Sequence, residues 1–169
     1  MFYVRFLTSI MKSIFVLAGI VCSVAAYSQD TKTIRSIDSL VKVLKGSKYK
    51  MLRDTIQGNM GKLNLSRRVY LTVMVNDTEL KIYTEDVLYT PTEDKKASKT
   101  HQVSTYYFDH NKLIKVEQYR ADWIDTANSD WYFANGKPLY NTSKQRYRDQ
   151  YALTMLDEAS RMVQDLGFK

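Results

Sequence analysis

The stretch "DWIDTANSD" at 122–130 sets Asp122, Asp125, Asn128 and Asp130 within nine residues, and Glu117 stands shortly before it. Two chemistries use such oxygen-rich clusters. Calcium takes carboxylate and carbonyl oxygens, and a pair of carboxylates can hydrolyse a glycosidic bond. The spacing here matches no EF-hand loop, and Asp and Asn are ordinary turn formers, so no metal is expected. Glu117 with Asp122 or Asp130 is the pairing a glycan hydrolase would need. Elsewhere the chemistry thins out. The two histidines, His101 and His110, sit at the end of a polar loop and in a turn, with no motif around either. No G-x-S-x-G, H-E-x-x-H or phosphate-cradling glycine run is present. A non-catalytic binding protein without a cofactor is the expectation. A hydrolase of cell-envelope glycans, using carboxylates of the 117–130 region, is the alternative.

Side chains that bind without reacting are easier to find. "YYFDHNKLIKVE" at 106–117 and "WYFANGKPLY" at 131–140 write nearly the same phrase twice: aromatic rings, two residues, a turn former, then Lys. Asn135-Gly136 is the strongest short hairpin signal, and His110 and Asn111 are among the few non-glycine residues that accept left-handed backbone. The phrases therefore predict two hairpins with one turn geometry. Pro138 cannot donate a ladder hydrogen bond, so 137–142 should be an edge strand. Pairing Asp109 with Lys112 sets Phe108 opposite Leu113 and Tyr106 opposite Lys115. Phe133 then faces Pro138, and Trp131 faces Tyr140. Strict alternation collects Tyr106, Phe108, Lys115, Trp131, Phe133 and Tyr140 on one face of the sheet, the expected ligand-binding surface. The other face takes Val103, Tyr107, Ile114, Val116, Tyr132 and Leu139.

Those hairpins need a sheet and a cover. In "RRVYLTVMV", Val69, Leu71, Val73 and Val75 share a face, and Asn76-Asp77 leads into "TELKIYTEDVLY" as a further hairpin. Val87 and Tyr89 are out of phase with Leu80 and Ile82, which predicts a bulge near 84–86. Residues 31–45 place Ile34, Ile37, Leu40, Val41 and Leu44 at helical spacing, with Gly46 to close the end. Residues 143–166 return to that period, with Thr142 and Gln145 as a capping box and Gly167 at the C′ position. Residues 47–67 have no clean period and read as loop with short local structure. The fold class is α+β: an antiparallel meander of about six strands, with an N-terminal and a C-terminal helix packed on one face.

The paired phrases, behind an Ile/Leu-rich first helix, resemble a group of uncharacterised bacterial secreted proteins. Those carry paired YYF-x-x-G-K-L-type hairpins late in a small α+β domain. The likeness covers about residues 100–142. His110-Asn111 stands where Asn-Gly is usual, and Pro138 replaces an aliphatic residue. The resemblance implies the fold and an exported location, and it implies no activity.

Export is also legible in residues 1–28. The apolar run "IFVLAGIVCSVAA" follows Lys12 and Arg5 and precedes small residues, the pattern of a secretory signal peptide. Cleavage after Ala26 or after Ser28 satisfies the small-residue rule, and Met11 is an alternative start. The run is shorter than the roughly 20 apolar residues of a membrane span, so no stable span is expected after cleavage. Cys22, the chain's one cysteine, lies inside it. Val21 stands where a lipoprotein wants a small residue. Residues 29–169 then form one α+β domain without thiol chemistry or disulfides. The full chain carries a net charge of +7, and removing Arg5 and Lys12 leaves 23 basic against 18 acidic side chains. The bases are scattered, and an exported protein meets little nucleic acid. The expected partner is a protein, peptide or glycan of the cell envelope.

Overall fold

The computed structural model describes residues 30–60, 65–91, 99–121, 126–143 and 148–168. Residues 1–28, which read as a signal peptide in the sequence, most of the polar loop at 91–101, Asp122, Asp125 and Gln145 lie outside the described residues. Two compact units divide between Ser36 and Ile37, and the second holds the sheet and its core. Helix α1 (30–46) buries Ile37, Val41 and Leu44, the i, i+4, i+7 stripe its sequence predicts. The Ser47 hydroxyl donates to the Val43 carbonyl at 2.8 Å and so satisfies one of its last carbonyls.

Seven strands come next: β1 (Lys50–Met60), β2 (Leu65–Val75), β3 (Leu80–Pro91), β4 (Thr100–Asp109), β5 (Lys112–Ala121), β6 (Thr126–Ala134) and β7 (Lys137–Asn141). They form one antiparallel meander in chain order. Helix α2 (Arg148–Asp165) comes after the sheet. The seventh strand is β1, in a stretch that reads as loop in the sequence. It is an edge strand whose residues 50–59 are all exposed, so neither face selects apolar residues and no period-two signal develops. Among the described residues no helix is long and apolar enough to cross a membrane.

Both doubled phrases turn through left-handed backbone, with φ 49° and 60° at His110-Asn111 and 53° and 70° at Asn135-Gly136. These are the paired positive φ angles of a type I′ corner. Asn111 does more than turn: its Oδ1 accepts the Leu80 N–H at 2.9 Å, and so ties this corner to the start of β3. Asn111→Gly should therefore destabilise the protein by about 1 kcal/mol, because a buried N–H loses its acceptor and the gain in backbone freedom is smaller. Asn135→Gly, with no such tie, should be neutral within about 0.5 kcal/mol. Urea unfolding of the two variants side by side checks this.

The corners share a second feature that strict alternation misses. Phe108 pairs with Leu113 as expected, but Tyr107 pairs with Lys115, so Ile114 is an extra residue. Phe133 pairs with Pro138, yet Tyr132 pairs with Tyr140, which makes Leu139 extra. The β2–β3 corner repeats the device: Val75 pairs with Leu80 and Met74 with Ile82, leaving Lys81 extra. Each bulge lies on the returning strand just past the turn, and each reverses the face of every later side chain. The phase change in β3 thus falls at Lys81, and not near 84–86.

The bulges sort the sheet differently from the expectation. Tyr106, Phe108, Leu113, Val116, Trp131 and Phe133 share one face with Val73, Val75 and Leu80, and Ala152, Met155, Ala159 and Val163 of α2 pack against them. Tyr107, Lys115, Glu117, Asp130, Tyr132 and Tyr140 share the other. Residues 37–46 of α1 lie over that second face, bonded to it through Asp38 and Lys45. The helices do not share one face: each takes its own. The capping box expected of Thr142 with Gln145 lies outside the described residues, and Thr142 itself bonds to β6. Its hydroxyl accepts the Asp130 N–H at 2.8 Å and its N–H reaches the Asp130 carbonyl at 2.9 Å, which extends the β6–β7 ladder. The other end of α2 agrees with expectation. Gly167 has φ 79°, and the Phe168 N–H reaches the Val163 carbonyl at 3.0 Å while that of Gly167 reaches Gln164 at 2.9 Å, a Schellman closure.

Candidate functional site

The six residues expected to form an open aromatic surface do not form one. Tyr106, Phe108, Trp131 and Phe133 are core, at most 3% exposed, beneath α2. The Tyr106 hydroxyl donates to Glu158 of α2 at 2.9 Å. The Trp131 ring stacks on Tyr151, and its indole N–H reaches Ser129 and Gln118. Lys115 and Tyr140 have crossed to the second face. The physical reason is twofold: a helix roofs the aromatic face, and the bulges at Ile114 and Leu139 invert the residues after them.

Lys115 becomes the centre of the second face. Only 7% of its side chain is exposed, and its ammonium lies 3.0 Å from Asp38, 3.2 Å from Asp130 and 3.3 Å from Glu117. It also stands 4.8 Å over the Tyr132 ring. An unpaired ammonium at such depth would cost several kcal/mol, so it requires these partners. The Tyr132 hydroxyl donates to Asp38 at 3.0 Å and the Tyr107 hydroxyl to Glu117 at 2.7 Å. Lys45 closes the rim, 2.8 Å from Glu117 and 5.3 Å over the Tyr107 ring. Two cations thus face three carboxylates.

The titrations are set by these contacts. Burial pulls the Lys115 ammonium down, but hydrogen bonds to Asp38, Tyr132 and Asp130 outweigh it and the net shift is upward. Burial pushes Glu117 up, yet Lys45, Tyr107 and Lys115 together hold it below the usual carboxylate value. Burial, then the bond to Glu117, raises Tyr107. Lys115 and Glu117 are therefore both charged at neutral pH, with Tyr107 and Tyr132 as neutral donors.

Beside this cluster the second face is open. A groove of about 310 Å³ is lined by Val103, Thr105, Glu117, Gln118, Tyr119, Asn128 and Asp130. Glu117 and Asp130 are direct cross-strand partners, so these two carboxylates of the predicted pairing do meet. Their backbone is well held, since Asp130 bonds to Thr142 on both its N–H and its carbonyl. His101 lies in β4 and not in a loop. Its Nε2 is 2.8 Å from Asp86, and its ring meets Tyr119 edge-on at 5.8 Å. His110 stays in its turn beside Asp109. Among the described residues no three His, Cys, Asp or Glu are arranged to hold a metal.

Sequence reasoning missed Asp38, Lys45, Tyr107, Tyr119 and Tyr132. Asp38 and Lys45 come from a helix expected on the face away from Lys115, which the bulge at Ile114 carries to the helix's side. The available signal was the identical offset of Ile114 and Leu139 from their turns, which marks a repeated bulge once the hairpins are laid over each other. Comparison of the chain with protein-family models, with curated proteins and with solved structures finds no match.

Proposed function

We propose that the protein is an exported, non-catalytic binding domain, and that its groove at Glu117, Tyr119 and Asp130 takes a hydroxyl-rich ligand such as a sugar unit of a cell-envelope glycan. The observation that carries this reading is the fixed pair of carboxylates beside an accessible tyrosine. Glu117 and Asp130 both lie within ion-pair distance of the Lys115 ammonium, and half-exposed Tyr119 offers a ring for stacking. Sugar hydroxyls donate to carboxylates, and the faces of sugar rings pack on aromatic rings. Asn128 and Thr105 on the same wall add donors and acceptors. The resemblance of the two hairpins to bacterial secreted proteins supports the exported location.

The cross-strand pairing of Glu117 with Asp130 also favours a second reading, a glycan hydrolase. Such an enzyme needs one carboxyl held protonated as the acid. Glu117 is shifted the other way, and both groups share one ammonium, so binding is the stronger reading.

Calorimetric titration with soluble envelope-glycan fragments is the test. Asp130→Asn and Tyr119→Ala should each weaken binding by about tenfold, roughly one charge-assisted or stacking contact, with the far-UV spectrum unchanged. No heat with any fragment would remove the glycan reading. Shortened fragments, lost on Glu117→Gln, would replace it with the hydrolase.

A further inference from the structure

On the opposite face, at the far edge of the sheet, a second surface is built for a different kind of contact. Strand β1 pairs with β2 alone and ends the sheet, and among the described residues nothing pairs with its outer edge. Residues 50–59 are exposed, including Leu52 at 45% and Ile56 at 53%. An edge this long presents a row of backbone N–H and C=O groups to whatever can pair with it. Lys50 and Arg53 guard it only in part.

The ground beside the edge is shaped. Leu52 is opposite Val73, which is opposite Tyr83. With Leu71 and with Met162 and Leu166 at the end of α2, they line an apolar hollow of about 280 Å³. That is at or below the lower limit for drug-sized ligands and suits one or two apolar side chains. Its rim is net acidic. Asp54 and Asp165 line it against one cation, Arg53, and α2 ends there with no basic residue in its last turn, so the negative end of the helix adds to the field. Asp165 has no hydrogen-bond or ion-pair partner among the described residues, and Asp54 accepts only the N–H of Thr55 at 2.7 Å.

We infer that the outer edge of β1 captures an extended peptide strand, with an apolar side chain in the hollow and a Lys or Arg against Asp54 and Asp165. A strand added at this edge continues the ladder, and its alternate side chains fall on the face that carries the hollow. The net acidic rim selects the sign of the charge. A second copy of the chain fits less well. The two-fold register that sets Leu52 against Ile56 of the copy also sets Asp54 against Asp54, a like-charge pair that opposes the match.

The test is panning of short random peptides displayed on phage against the purified full chain, followed by titration of the enriched peptides as synthetic compounds. Enriched sequences should alternate apolar residues and carry Lys or Arg. Methylating the amides of alternate residues, in one frame or the other, should abolish binding, because the added strand then lacks donors. Leu52→Asp should weaken binding about tenfold or more, and Asp54→Lys with Asp165→Lys should turn the preference from Lys to Glu peptides. All three positions lie at the sheet edge or helix end, so melting temperature should be unchanged. No enrichment over an unrelated immobilised protein would overturn the inference. So would binding that survives both methylation frames, indifference to the charge reversal, or a concentration-dependent dimer that Leu52→Asp dissolves.

Discussion

Trp131→Ala should cost about 3–5 kcal/mol of stability, the range for removing a large aromatic side chain from a packed core. Trp131 is 1% exposed and is the largest fully buried side chain among the described residues. It pairs across strands with Val116 and stacks on Tyr151 of α2 with ring centroids 6.2 Å apart. The change removes that packing and leaves Gln118 and Ser129 without the indole donor they share. At a few degrees per kcal/mol for a domain of this size, melting should fall by roughly 10–20 °C. The glycan binding proposed for the groove should, where it is measured, persist below the new melting point, because Trp131 faces away from it. An unchanged melting temperature would place Trp131 on a surface and undo the face assignment on which the site rests.

Lys115→Met should be comparably damaging and should carry a pH signature that Trp131→Ala lacks. The substitution leaves Asp38, Glu117 and Asp130 around an apolar side chain. Breaking a buried ion pair from one side costs about 3–5 kcal/mol, and about 2–4 is expected here because the carboxylates are partly exposed and screened. In the wild type, Glu117 is held below its usual value. Its contribution is therefore present above its unfolded pKa, about 4.3, and is lost as pH falls through the lower folded value. Lys115 is shifted upward. Its contribution is complete below its unfolded pKa, about 10.4, and disappears only as pH rises through the folded value, so it is at full strength across the neutral range. Without the ammonium, the Glu117 carboxylate loses part of the pull that offsets its burial, and its folded pKa rises towards or past the unfolded value. The variant therefore gains less stability than the wild type as pH increases through the carboxylate range. The stability gap between the two proteins should narrow as pH is lowered from 7 through about 4.3 and below, read by urea unfolding at several pH values. A gap independent of pH would show that Lys115 acts through packing alone. Adding Glu117→Gln and Asp130→Asn to Lys115→Met should recover much of the loss at pH 7, because the uncompensated charge is then gone.

Local chemistry was legible in the chain wherever one residue's own preferences decide the outcome. Asn135-Gly136 and His110-Asn111 accept positive φ, so both corners lie where the sequence predicts them. Pro138 cannot join a central ladder, and β7 is indeed an edge strand. Gly167 closes α2 because a left-handed C′ residue costs glycine nothing. The α+β class came from the switch between periods of two and 3.6. Strand β1 was not legible for an equally plain reason. Exposed on both faces, it is held by its backbone pairing with β2, and backbone bonds leave no mark on the choice of side chains.

The candidate site lies on the other side of that divide. Alternation gives each hairpin two faces, but an extra residue at Ile114 or Leu139 exchanges them, and whether a strand bulges depends on the partner it meets. Lys115 reads as an open-surface anchor if the strand is regular, and as the buried hub of three carboxylates once it is kinked. Nor can an amphipathic helix announce which side of a sheet it will cover, since both sides offer apolar residues. The chain specified its corners, its strand-rich centre and its apolar stripes through local preference. The pairing of strands and the docking of α1 and α2 on opposite faces made rings into core and brought Asp38 to Lys115, because those contacts join residues far apart in sequence and no local pattern records them.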